Sequence, residues 1–362
     1  MLLLMDTIKL NLKDKSYNIK IGKGILKAIE FQKFGASKYA IITDSNVKKL
    51  YGEKLQELIR NQRCQVNLFA FSAGENSKNL TQTEQVGRKL VREGFDRNSM
   101  IIALGGGVVG DLAGFLASFY KRGIDYIQIP TTLLAQVDSS IGGKTGVNIP
   151  EGKNLFGSFY QPKAVFIDIE FLKTLPENEI KNGLAEIIKY GMVQSYELFE
   201  YLEQNFSKRT SDFYLKIIKK SVAIKAKIVE KDEREQELRK ILNYGHVVGH
   251  AVETTEEYKR ISHGEAVGLG MVYEGKISNK LGLLNRKDLE RQNQLIQAVG
   301  LPITYKGNLD NLIEIMTRDK KVKSEKINFV LPTMIGKVKQ KGRQIAFPIN
   351  VFLIRKCLRS EL

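Results

Sequence analysis

The stretch Ile101-Ile-Ala-Leu-Gly-Gly-Gly-Val-Val-Gly110 decides the fold class. An apolar strand, Met100 to Leu104, runs straight into glycines that satisfy Gly-x-Gly-x-x-Gly at Gly105, Gly107 and Gly110. Glycines at such a strand-to-helix junction let the backbone close on a pyrophosphate and set its charge at the helix N-terminus. An ordinary dinucleotide fingerprint follows the first strand of its unit; this one follows the third. The loop therefore also reads as a tight strand–helix turn.

Working outward, Tyr39 to Thr43 and Val66 to Phe71 read as further strands, each followed by a helix, Asn46 to Arg60 and Ser77 to Glu93. Asp125 to Ile129 and Val165 to Ile169 complete the pattern. Apolar strands separated by helices of this length form parallel βαβ units covered on both faces. Asp44, Asn46, Glu75, Lys78, Thr131 and Thr132 all follow the carboxyl ends of these strands, the edge where open parallel sheets bind ligands. After Pro176 the periodicity is almost wholly helical as far as Ala298, which puts a domain boundary in Lys173–Glu177. The expected fold is α/β, a Rossmann-like parallel-sheet domain over 1–176 followed by a mainly α-helical C-terminal domain over 177–362.

Composition narrows the class. With 362 residues, 43% of them hydrophobic, the chain has ample material for packed cores. The most apolar stretch, Met100 to Phe119, holds Asp111 and five glycines, so a membrane-spanning helix is not expected. Met1 to Met5 lacks a basic region and meets Asp6 at once, a poor signal peptide. Two distant cysteines, Cys64 and Cys357, exclude a disulfide framework and a cysteine metal site, and point to a reducing cytoplasm. Lys and Arg number 57 against 40 Asp and Glu, a formal charge of +17. The basic residues are dispersed, without the aromatic-and-basic tract that stacks bases, and composition alone leaves open an enzyme for an anionic substrate, a nucleic-acid binder or a structural protein.

The only histidines, His246, His250 and His263, fall within eighteen positions. Arg239, Asn243, His246, His250 and Glu253 are spaced for one face of a helix, beside the apolar line Leu238, Ile241, Leu242, Gly245, Val248 and Val252. Ser262 and Glu265 form a capping box that starts a helix at His263, and Gly264, Gly268 and Gly270 allow neighbours to approach it. A lone histidine is usually structural, but this gathering suits a metal site completed by a carboxylate. Spacing leaves that carboxylate open between Glu253 and Glu186. On its own helix Glu186 lies off the apolar stripe Ile180, Leu184, Ile187 and Ile188, and reads as an exposed pair with Lys189.

Lys225 takes an apolar position in Leu215, Ile218, Val222, Lys225 and Val229. Either its ammonium snorkels to water or it holds an anion. Asp138-Ser-Ser-Ile-Gly-Gly-Lys-Thr-Gly-Val-Asn148, with Lys144 at its centre, and Gly152-Lys-Asn-Leu-Phe-Gly157, with Lys153 and Asn154, suit a phosphate or carboxylate. Neither has the Walker spacing. A small substrate with more than one negative group follows.

Taken together, these segments closely resemble the 3-dehydroquinate synthases, within the sugar-phosphate cyclases. The resemblance runs from about Tyr17 through Gly336 and rests on Gly105–Asp111, Pro130–Asn148, Gly152–Pro162, Ala185–Gly191, Leu238–Glu253 and His263–Met271. It implies an NAD- and metal-dependent lyase of the shikimate pathway, turning 3-deoxy-D-arabino-heptulosonate 7-phosphate into 3-dehydroquinate and phosphate. By the resemblance, Glu186, His246 and His263 would ligate one divalent metal, Zn2+ or Co2+, and His250 would belong to the substrate site. NAD would contact Asp44, Asn46, Glu75, Lys78, Gly106, Gly107, Val108, Asp111, Thr131, Thr132, Phe171 and Thr174, with Lys144 and Lys153 close by. Substrate would meet Asp138, Lys144, Lys153, Asn154, Lys189, Lys225, Arg239, Asn243 and His250, together with Lys320 or Lys321. Arg122 would reach the site of a second copy, implying a homodimer. The ending, Lys337 to Leu362, departs from the family's usual one. The rivals are a sister cyclase such as a 2-deoxy-scyllo-inosose synthase, a glycerol-dehydrogenase-like oxidoreductase and, on charge alone, a non-catalytic nucleic-acid binder.

Overall fold

A computed structural model describes residues 5–256, 260–318 and 326–359. It divides into two compact units, one of Met1–Leu175 with Lys225–Glu230, the other of Pro176–Ile224 with Lys231–Leu362. Lys320 and Lys321 lie outside the described residues.

The first unit is built on β1 (Met5–Leu10), β2 (Tyr17–Gly22), β3 (Tyr39–Asp44), β4 (Val66–Phe71), β5 (Met100–Gly105), β6 (Asp125–Pro130), the hairpin of β7 (Lys144–Ile149) and β8 (Gly152–Phe159), and β9 (Ala164–Asp168). Seven of these form one sheet in the order β1-β2-β9-β6-β5-β3-β4, parallel except for the edge strand β1. Every residue of β5 is buried, and all of β3 but its last, as strands covered on both faces require. From β3 the chain moves outward to β4, returns to β5 on the other side of β3, and continues to β6. The switch point of the sheet thus lies between β3 and β5. That explains the odd position of the glycine loop: the third strand of the unit, not the first, borders the crevice.

Helix boundaries differ from the expected ones for local reasons. The second helix starts at Leu80, not Ser77, because Asn79 caps it by accepting from Gln82 N at 2.8 Å, while Glu75–Ser77 forms a separate turn. The first runs from Ser45 to Asn61 but widens into a π turn over Lys48–Gly52.

The second unit is mainly helical, as expected, with two small antiparallel sheets that the periodicity gave no sign of. Lys326–Val330 pairs with Ala346–Asn350, and Pro332–Met334 with Lys337–Val338. The atypical ending folds as the strand Ala346–Asn350 and the helix Val351–Arg359, whose Ile354, Cys357 and Leu358 enter the same core as Val248, Leu269 and Phe329. The helix His263–Lys280 is buried on nearly all sides, the mark of a core helix. Of its glycines, Gly270 is the tightest: a Cβ there would stand 1.8 Å from the Gly245 carbonyl oxygen. A Cβ on Gly264 would meet Asn182 Cα at 2.5 Å, whereas at Gly268 the nearest atom is 3.5 Å away, an ordinary contact. Gly270→Ala is expected to destabilise by on the order of 3 kcal/mol, whereas Gly268→Ala, which meets no clash and gains helix propensity, is expected to be neutral or to stabilise by up to about 1 kcal/mol. Indistinguishable urea midpoints for the two variants would show the crossing to be looser than this.

Candidate active site

In the first unit, the expected residues gather along the carboxyl edge of the parallel sheet. Asp44, the last residue of β3, accepts from the amides of Asn46 and Val47 at 2.8 and 3.0 Å, fixing the loop over the switch point. The helix Gly107–Phe119 begins after Gly106, whose lack of a side chain leaves the first amides uncapped. Val108 is half-buried on its first turn. A Cβ on Gly106 would meet Thr132 Cγ2 at 3.0 Å, and one on Gly107 would meet Ser139 Oγ at 3.2 Å. This bare cradle, with Thr131 donating its amide to Gly105 O at 3.0 Å, suits the phosphates of a dinucleotide.

Beside it runs a web of polar groups. Lys78 Nζ donates to Asp111 Oδ2 at 2.6 Å and to Asn154 Oδ1 at 2.5 Å. Glu75 accepts from Asn148 Nδ2 at 2.8 Å, and Asn148 Oδ1 accepts from the Asn154 amide at 2.9 Å. Burial would lower the Lys78 pKa, but the Asp111 and Glu75 carboxylates outweigh it and hold the ammonium above its usual range. Burial raises the Asp111 carboxyl, opposed by Lys78. Phe171 packs edge-on to Tyr51 at 4.7 Å, and the Tyr51 hydroxyl shares a hydrogen bond with Thr174. Lys225 does not snorkel: its ammonium turns inward and donates to Asp138 O and Oδ1 at 2.7 and 2.8 Å. Lys144 is exposed and Lys153 half-exposed on the hairpin, and Arg122 is exposed with φ at +70°.

The second constellation lies wholly in the second unit. Glu186 and Lys189 are not the exposed pair their spacing suggests; they are 0% and 2% exposed and joined to each other, because Asn182–Val193 is enclosed on every side. Nor do Arg239 to Glu253 form one continuous helical face. The 3-10 turn Leu238–Asn243 ends, Gly245 takes φ +80°, and a new helix begins at His246, because the backbone must pass within contact of Gly270. His246 and His263 each open a helix, and both present Nε2 to Glu186 Oε1, at 3.6 and 3.5 Å. The three ligand atoms lie within 4.8 Å of one another. Ligands 2.0–2.1 Å from a common tetrahedral ion stand about 3.4 Å apart, so this separation fits one small divalent cation.

The far sides of the rings are fixed as metal-ligating histidines require. His246 Nδ1 lies 3.1 Å from Tyr244 O, and His263 Nδ1 lies 3.4 Å from Glu253 Oε1. Glu253, one of the two carboxylates that spacing left open, thus holds a ligand-bearing ring by its outer nitrogen. Burial and the Lys189 ammonium push the His246 pKa down to about 3, which keeps that ring neutral. For His263 burial also opposes charge, but hydrogen bonds to Glu186 and Glu253 prevail and raise it to about 9. Around this centre, His250 is exposed with its ring 5.3 Å from that of His246. Arg239 is buried and donates to Glu233 O at 2.6 Å, and Asn243 donates to Glu235 Oε1 at 2.7 Å. Sequence reasoning gave no part to Asn148 or to Asn182, whose Oδ1 receives the Gly264 amide at 2.9 Å. Asn182 follows Lys181 in a helix that also carries Glu177, Glu179 and Glu186, so nothing in the spacing marks it.

Two family models match: 3-dehydroquinate synthase N-terminal over residues 68–182 and 3-dehydroquinate synthase C-terminal over 183–322. The 3-dehydroquinate synthase of Thermoanaerobacter sp. (strain X514) is 48% identical over 346 residues, covering 92% of this chain and 96% of the relative. Among solved structures, 2-deoxy-scyllo-inosose synthase with carbaglucose-6-phosphate, NAD+ and Co2+ superposes with a TM-score of 0.90 at 28% identity, covering 99% and 100% of the two chains. ValA, a 2-epi-5-epi-valiolone synthase from Streptomyces hygroscopicus subsp. jinggangensis 5008 with NAD+ and Zn2+ bound, does so at 0.86 and 28% identity, covering 96% and 97%. These matches, spanning both units and both constellations, make the chain a member of the 3-dehydroquinate synthase family.

Proposed function

We propose that the chain performs its family's reaction, closing 3-deoxy-D-arabino-heptulosonate 7-phosphate to 3-dehydroquinate with loss of phosphate, through the two constellations described. The observation that carries this reading is the Glu186, His246 and His263 cluster, in a chain 48% identical to a 3-dehydroquinate synthase. Glu186, His246 and His263 would hold the divalent cation. Asp44, Asn46, Glu75, Lys78, Gly106, Gly107, Val108, Asp111, Thr131, Thr132, Phe171 and Thr174 would hold NAD. When bound, the cation supplies a Lewis acid for the hydroxyl being oxidised, and the nicotinamide a hydride acceptor that returns what it takes.

The chain's own residues do the rest. Lys144, Lys153 and Asn154, on the β7–β8 hairpin, would bind the phosphate, and Arg239 and Lys225 the carboxylate, with the charged side chains making charge-assisted contacts. Asp138 orients the Lys225 ammonium. His250, exposed with its ring 5.3 Å from that of His246, would take or give a proton at the substrate. Asn243 and Lys189 would orient substrate hydroxyls for ring closure, a step that geometry dominates. For a second copy, exposed Phe119, Leu155 and Phe156 offer apolar surface on the unit that carries Arg122. This surface supports the homodimer reading, and a sedimentation mass near 41.0 kDa instead of twice that value would remove it.

Phosphate release from the seven-carbon substrate, without net NADH, is the direct assay; release from glucose 6-phosphate alone would favour a sister cyclase, and steady NADH accumulation an oxidoreductase. In that assay Glu186→Gln and His246→Ala are expected to lose bound metal and turnover together. Lys144→Ala should keep its metal and fall roughly 10- to 100-fold in kcat/KM, the worth of one charged hydrogen bond. Full activity in Glu186→Gln would refute the ligand assignment.

The pH dependence follows from the His263 value of about 9. Below that pH a cation must displace the ring proton, so metal-free protein should release about one proton per ion bound at neutral pH, and apparent affinity should rise about tenfold per unit up to about pH 9. His246, neutral throughout, contributes nothing to this slope. Indicator titration in weak buffer reads the release; none at pH 7 would contradict it.

A further inference from the structure

The helix His263–Lys280 carries one buried carboxylate that the reaction does not use. Glu274 is 0% exposed. It stands eleven residues after His263, three helical turns on and therefore on the same face. Between them on that face are Val267 and Gly270, the residues against which Gly249 and Gly245 pack. Its oxygens accept from the Gly245 amide at 2.8 Å, Val247 at 3.2 Å and Val248 at 3.3 Å. These amides flank His246 on both sides. Neighbouring groups grip the same turn. The Tyr244 hydroxyl contacts Met271 O at 3.0 Å and Gln292 Oε1 at 2.5 Å, and Gln292 Nε2 donates to Met271 O at 3.0 Å. Tyr244 O is the acceptor facing His246 Nδ1.

We infer that Glu274 is a positioning residue for the metal centre: by seating the three amides around His246, it fixes the approach of that imidazole relative to His263, which rides on the same helix as Glu274. The inference rests on the ligand reading proposed above. A carboxylate placed only to satisfy a buried helix end would stabilise the fold without concern for the ion. One that sets the ligand turn changes the coordination itself.

The test is a Co2+ titration of the metal-free full chain, read by its visible absorption, with NAD affinity measured alongside. Glu274→Ala should weaken Co2+ binding 10- to 100-fold (roughly the cost of losing a positioning partner) and alter the spectrum, with NAD affinity unchanged. Glu274→Gln, which keeps an acceptor oxygen, should recover to within about threefold of wild type. Glu274→Asp, which keeps the carboxyl group but withdraws it by one methylene, should not. Should Glu274→Ala fail to fold, the Gln and Asp variants decide the matter. Co2+ affinity and spectrum unchanged in Glu274→Ala, or in Glu274→Asp where the alanine variant is lost, overturn the inference while His246→Ala still loses the ion. Wild-type Co2+ binding by His246→Ala overturns the ligand reading itself, and the inference with it.

Discussion

Two backbones meet where Gly270 lies against the carbonyl of Gly245, and the chemistry of the second unit depends on that contact. No other residue type fits at Gly270, because any side chain would start inside the carbonyl oxygen's radius. The contact forces the chain between Asn243 and His246 out of helical geometry, so a new helix begins at the ligand-bearing residue. It also brings that start beside a helix that itself begins at His263. Two imidazoles seventeen residues apart in sequence thereby face one carboxylate, Glu186.

The first unit solves a different problem, which is how to leave room for a large anion at a densely packed edge. Burying β5 completely and β3 nearly so fixes where the connecting loops emerge. The change of direction between those strands opens a crevice that the bare Gly106–Gly107 junction can line. Lys78 stands beside it, its charge maintained by Asp111 and Glu75 despite burial. The same ammonium reaches Asn154 on the hairpin, so the loops that would meet cofactor and substrate share a partner within this unit.

The central parallel strands were legible because they are apolar end to end, and the edge strand Val66–Phe71 can also be read to the residue; Met5–Leu10, Tyr17–Gly22 and the Lys144–Phe159 hairpin, which lack such a run, were not read as strands. The helix starts were less so, since Asn79 and Ser77 are both good caps and only the fold chooses between them. Histidine clustering pointed to a metal, but periodicity treated Arg239–Glu253 as one helix and Glu186–Lys189 as a surface pair. Both errors have one source: spacing describes an isolated helix and carries no information on what encloses it. Glu186 is buried by the packing of its whole helix, and the break at Gly245 is imposed by a residue twenty-five positions away. The small sheets near the C-terminus escaped notice because strands of two to five residues give too short a period to see.

The proposed ligand set, one carboxylate and two imidazoles, each neutral once it binds, would have an electrical consequence. A dication seated there keeps a surplus of one positive charge, whereas three carboxylates would leave the ensemble anionic. Both histidines also occupy first turns, where the peptide dipoles contribute further positive potential. Loaded in this way, the centre would draw electron density from an oxygen lying against it, so this choice of donors would make it an electrophile as well as an anchor.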